Sequence, residues 1–135
     1  MKLSTRCRYG TRAVIEIARN YHRGPTKRKD IAEAQEIADS YLENILLFLK
    51  NVNLVGSIRG PRGGFVLTRH PSEITLLEVV SALEGTLMPV ECLANRNLCH
   101  RIDRCESRPV WKKVQLAQEE ALRNITVQDL VDGNL

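Results

Sequence analysis

Three of the chain's four cysteines, Cys92, Cys99 and Cys105, fall within "VECLANRNLCHRIDRCESRP", residues 90–109. The stretch has neither the period of a helix nor the alternation of a strand, yet it sets these thiols among two Asn and four Arg. Their spacing is C-x6-C-x5-C. Structural zinc usually takes close pairs such as C-x2-C, and no such pair exists here. Thiol catalysis needs one activated cysteine and a base rather than three thiols in a loop. Three thiolates on an irregular segment can wrap an object larger than one ion, and an iron–sulfur cluster is such an object. Spacing alone leaves cluster and zinc both open.

The 135 residues amount to one domain, or to one domain with an appendage, 43% hydrophobic and 27% charged, enough for a core without covalent staples. No apolar run nears the ~20 residues of a membrane span, and MKLSTRCRYGTR lacks a signal peptide's apolar stretch. A cytoplasmic protein with no membrane partner is expected. Thiols stay reduced in that compartment, so clustered cysteines there point to metal or redox chemistry. With three Tyr, two Phe and one Trp, stacking on single-stranded nucleic acid is not the expected activity. No paired carboxylates, nucleophile–base set or phosphate loop is visible, so neither an enzyme nor a small-molecule substrate is expected. Charge is uneven: residues 1–30 carry nine Lys/Arg against Glu16 and Asp30 within a chain of net +4. A basic end on a nearly neutral body suits a polyanion, DNA first.

The elements that must position these groups read as follows. Ala13, Val14, Ile17, Ala18 and Tyr21 recur at helical spacing within 5–21, and "HRGPT" ends that helix, with Thr26 placed to cap the next, 27–35. Leu42, Ile45, Leu46 and Leu49 mark the core face of another helix over 39–50. Such a pair is a helix-turn-helix pattern. Two β-rich runs follow, Leu54–Ile58 and Phe65–Thr68, joined by a Gly- and Pro-rich turn that carries Arg59 and Arg62. A hairpin there makes the unit a winged helix-turn-helix. Thr75 and Glu78 have capping-box spacing before a helix over 75–84. Pro109 opens a longer helix, 109–124, whose Val110, Val114, Ala117 and Ala121 suit a dimer contact.

The fold expected is mainly α with a small β-hairpin: a winged helix-turn-helix over residues 1–86, a cysteine-rich loop over 87–108, and a dimerisation helix with its tail over 109–135. Ser40, Tyr41, Glu43 and Asn44 stand on the first turns of the recognition helix, able to bond base edges or phosphates. Glu43 can accept from a cytosine amino group, whereas phosphate would repel it. Arg59 at a slim tip can enter a minor groove ~6 Å wide. Lys2, Arg28 and Arg62 complete the expected contacts with a double-stranded operator.

Four stretches carry a resemblance: MKLSTRCRYGTRA, SYLENILLFLKNVNLVGSIRGPRGGF, the three-cysteine loop and NITVQDLVD. Together they resemble the IscR-type regulators of the Rrf winged-helix family, to which the NsrR and RirA types also belong. The resemblance implies a homodimeric DNA-binding transcriptional regulator that senses iron–sulfur or redox status through a bound cluster, 2Fe–2S before 4Fe–4S. In IscR-type chains a His three residues after the last loop cysteine is the fourth ligand, and here that position is Arg108, which stays protonated. NsrR-type chains complete the cluster with an acidic residue of the partner subunit near position 7. Cys7 is therefore the first candidate, with the helix end, Arg6 and Arg8 expected to favour its thiolate; a small core residue is the alternative. His100 is second, a hydroxide, water or small thiol is third, and Glu91 and Asp103 are weaker. His22 and His70 are expected to be solvated. The competing function is a zinc-binding or cluster-free thiol-sensing winged-helix repressor.

Overall fold

Ala13, Val14, Ile17 and Ala18 line the buried face of α1 (Thr5–Arg19), together with Cys7 and Gly10. The computed structural model describes residues 2–135. Ser4 caps α1, its Oγ accepting from the Cys7 N–H at 3.0 Å and satisfying one of the helix's open donors. Next come α2 (Arg28–Gln35) and α3 (Asp39–Asn51). Between them Glu36 turns the chain in the left-handed conformation, at φ 52°. Ile31 of α2 and Leu42, Ile45, Leu46 and Leu49 of α3 close the core against α1.

The hairpin is an antiparallel pair, β1 (Val55–Ile58) and β2 (Gly64–Leu67), with Val55 opposite Leu67 and Ile58 opposite Gly64. Its base is fastened to the loop before α2. Thr26 and Phe65 exchange backbone hydrogen bonds of 2.9 and 2.8 Å. Thr26 is therefore not the cap of α2. Lys27 holds that place without a side-chain bond, because the backbone of Thr26 is committed to the wing. Gly64 makes the approach feasible: a Cβ there would lie 2.6 Å from the Thr26 carbonyl oxygen, at φ +153°.

Beyond the wing, α4 (Leu76–Glu84) starts with the expected capping box of Thr75 and Glu78. The cysteine segment that follows Gly85 is three short 3-10 turns, Glu91–Leu93, Arg96–Leu98 and Ile102–Arg104. The long helix α5 (Arg108–Arg123) buries only Gln115 and leaves Val110, Trp111, Val114 and Leu116 exposed. A last helix, α6 (Val127–Asp132), forms where the sequence suggested only a tail. It packs on α1, and its entry is pinned by Leu76 N–H to Ile125 O at 2.8 Å and Val127 N–H to Ile74 O at 2.9 Å. Thr126 and Asp129 cap it. The architecture is a winged helix-turn-helix with a small sheet and a protruding helix, mainly α as expected.

Gly64→Ala would force a Cβ into the Thr26 carbonyl and strain the backbone, a cost of roughly 1–3 kcal/mol. Chemical denaturation is expected to show that loss, and amide exchange at Thr26 and Phe65 to accelerate. Unchanged stability and exchange would mean the wing is not anchored there.

Candidate functional site

Ser40, Glu43 and Asn44 project from α3 into solvent. The Asn44 amide bonds back to the Ser40 carbonyl at 3.3 Å, and the half-buried Tyr41 ring packs edge-on against Tyr9 with centroids 5.9 Å apart. Arg59 and Arg62 are exposed at the wing tip, and Lys2 is exposed ahead of α1. Arg28 is engaged within the protein. Its Nε and Nη2 donate to the two Asp39 carboxylate oxygens at 2.9 and 3.0 Å, and its Nη1 lies 3.0 Å from Glu43 Oε1. A groove of about 190 Å³ runs beside them, lined by Arg28, Glu43, Leu47, Lys50, Ser57 and Phe65.

Several basic residues of the N-terminal end bond to groups within the protein. Arg6 donates to the Leu83 carbonyl at 2.9 Å and lies over the Phe48 ring. Arg12 bonds Gln35 and lies over Tyr9, and Arg19 pairs with Glu16 at 2.8 Å. Arg23, Lys27 and Lys29 stay exposed, with no ion pair among the described residues. Lys27 and Lys29 at the start of α2 and Lys50 in the last turn of α3 are surface cations that sequence reasoning did not single out, although the KRK run at 27–29 was visible.

Cys7 is fully buried. The expectation that its position favours thiolate is overturned: burial first, then the Glu84 charge and hydrogen bond, push its thiol up to about 11. Arg6 acts the other way but more weakly. Glu84 itself accepts from the Ser4 hydroxyl at 2.7 Å and from the Ser4 N–H at 3.1 Å, which holds its carboxyl below the usual range.

Cys92, Cys99 and Cys105 are free and half-buried on the loop. Among the described residues no three His, Cys, Asp or Glu side chains converge to hold a metal ion. The donors nevertheless fit an anionic thiolate-bound group in kind. Hydrogen bonds from the Ser107 hydroxyl and the Arg108 N–H, at the head of α5, lower the Cys105 thiol from its ordinary value. The Nε of Arg108 is buried without a partner among the described residues. His100 and Glu91 are exposed, whereas Asp103 is taken by Arg96 at 2.6 Å. His22 and His70 are not merely solvated: both stack edge-on against Tyr21, at 5.1 and 5.0 Å.

A family model described as "Rrf2: Iron-dependent Transcriptional regulator" matches residues 3–133. The HTH-type transcriptional regulator CymR of Bacillus subtilis is 38% identical over 130 residues, covering 96% of this chain and 89% of its own. Its solved structure, described as that of the global cysteine regulator, superposes with a TM-score of 0.82 at 36% identity, covering 100% of this chain and 99% of that one. The HTH-type transcriptional regulator IscR of Pectobacterium atrosepticum is 34% identical over 133 residues, covering 98% of this chain and 80% of its own. The structure of T. potens IscR matches with a TM-score of 0.82 at 32% identity, covering 100% of this chain and 89% of that one.

Cys7 sheds its proton near 9.0 in an unfolded chain but keeps it to about 11 when folded. Between those values the unfolded state binds fewer protons, so stability falls as pH rises from about 9 to about 11. Denaturant midpoints of wild type and Cys7→Ala across that range check this. The wild type is expected to lose stability relative to the variant as pH rises; parallel curves would show that Cys7 ionises as freely in the fold as outside it.

Proposed function

The chain belongs to the Rrf2 family of transcriptional regulators, and from that premise we propose that it is a homodimeric, cytoplasmic DNA-binding regulator that senses iron–sulfur or redox status through Cys92, Cys99 and Cys105. Its relatives are named as transcriptional regulators, not enzymes. One observation carries the sensing role: three free thiols share an irregular loop between α4 of the DNA-reading body and α5, with one thiol acidified at the helix head.

The loop thiols are the ligands in this reading, and the Ser107 hydroxyl and the Arg108 N–H are donors to the negative charge on Cys105. A bound cluster supplies one-electron chemistry and sensitivity to oxidants and iron supply. The resemblance to IscR-type chains favours 2Fe–2S over 4Fe–4S. For the fourth ligand we place His100, exposed beside Cys99, ahead of Cys7, whose thiol is buried in the core. Ser40, Tyr41, Glu43 and Asn44 face the operator, and Arg59 and Arg62 approach its minor groove or phosphates. Dimerisation is assigned to α5, where Val110, Trp111 and Val114 share an exposed apolar face.

A second reading is cluster-free thiol sensing, with Cys105 as the reactive group. The same acidified thiol favours it, as does likeness to a protein described as the global cysteine regulator.

Anaerobic purification with iron, sulfide and absorption analysis separates the two. The first reading expects about two irons and two sulfides per chain with structured visible bands. A colourless protein that stays free of iron after reconstitution would overturn it and favour the second. His100→Ala is expected to shift the spectrum and shorten the cluster's lifetime, whereas Cys7→Ala leaves both unchanged; the reverse pattern would restore Cys7. Val114→Glu should convert dimer to monomer in sedimentation analysis, and a variant that remains dimeric would move the interface off this face.

A further inference from the structure

Asp39 and Glu43 are four residues apart and share the exposed face of α3, the helix that the proposed function presents to DNA. Two carboxylates there would meet a polyanion with two unneutralised charges. Arg28, the first residue of α2, binds both: a two-bond fork to Asp39 and a third contact to Glu43. The Asp39 and Glu43 side chains are 57% and 63% exposed, against 36% for Arg28. The fork depends on the planar guanidinium, which offers several fixed donors where lysine has a single ammonium.

We propose that Arg28 is a specificity-determining residue of the DNA interface that acts through Glu43 and Asp39 rather than by touching phosphate. Its Nη1 engages one Glu43 oxygen and leaves the other as an acceptor for a cytosine amino group. Its charge offsets the acidic edge, so that edge can enter the major groove beside phosphates. Arg28 is thus a positioning residue, and Glu43 is the group that reads the base. This inference rests on the reading of α3 as the recognition helix. It corrects the expectation that Arg28 itself is a direct contact.

Exposed ion pairs add little to stability, so variants at these positions are expected to stay folded, which circular dichroism verifies. The test is a double-mutant cycle with the full-length chain on a duplex that the wild type enriches from a random-sequence pool. Arg28→Ala is expected to weaken binding about tenfold and to lose preference at the same base pair as Glu43→Gln. In the double variant, affinity returns to within about threefold of Glu43→Gln alone, because the charge that faces the base is gone and only the Asp39 carboxylate remains for Arg28 to offset. Arg28→Lys keeps the charge but loses the fork, and it should also lose the base preference. The salt dependence should keep its slope in Arg28→Ala.

A slope reduced by about one, uniform weakening on all sequences and no rescue by Glu43→Gln would make Arg28 a phosphate contact and overturn the proposal. So would unchanged binding and preference in Arg28→Ala. If the wild type enriches no sequence, the reading of α3 fails with it. Enrichment by the wild type with failure of the cycle overturns the Arg28 inference alone.

Discussion

The close approach of α4 to α1 is the contact on which the remaining structure depends. Gly10 permits it: a Cβ at that position would sit 2.6 Å from Leu83 Cδ1, inside the side chain that fills the gap. Three polar contacts hold the same junction. Arg6 reaches the Leu83 carbonyl, Ser4 gives its N–H and hydroxyl to Glu84, and the Cys7 thiol is buried beside that carboxylate. The opposite side of α1 packs on α2 and α3, where Arg12 ties it to Gln35. Gly85 ends α4, and the thiol loop starts there. α1, with a smaller direct contact of α4 on α3, therefore joins the root of the loop to the DNA-reading pair through packed side chains rather than a flexible linker.

The junction gives a physical route by which a change in the loop bears on α3. Packed interfaces shift between discrete arrangements more readily than they stretch, and α4 cannot move without meeting α1. Regulation also requires a differential contact, meaning that the occupied and the empty loop must favour different settings of the two recognition helices. Glu84 and Arg6 are charged groups within that junction, and the hydrogen bonds of Glu84 from Ser4 tie the α1 start to the α4 end.

Much of this body was legible in the sequence for definite reasons. The spacing of Leu42, Ile45, Leu46 and Leu49 exposes its face by period alone, and Thr75 with Glu78 marks a helix start by local chemistry. The Gly- and Pro-rich turn between two β-rich runs marks the wing. The misses are long-range or too short to carry a period. At six residues α6 shows no usable repeat, although Thr126 and Asp129 carried its cap in plain view. Thr26 looked like a helix cap because its partner, Phe65, is remote in sequence. Cys7 looked like a thiolate because Arg6 and Arg8 flank it, while Glu84 and burial, which outweigh them, come from the fold. The basic count at the N-terminal end overstated the free charge for the same reason: Arg28 is paired with Asp39 and Glu43 of α3.

The proposed sensing role makes DNA binding depend on the loop thiols. The most direct measurement compares the wild type, reconstituted anaerobically with iron and sulfide, with Cys92→Ser/Cys99→Ser/Cys105→Ser treated identically. Both are titrated with one duplex that the wild type enriches. The account predicts affinities that differ by about fivefold or more, the scale of ordinary coupling between sites, with both proteins equally folded. Equal affinity and equal footprints would contradict it.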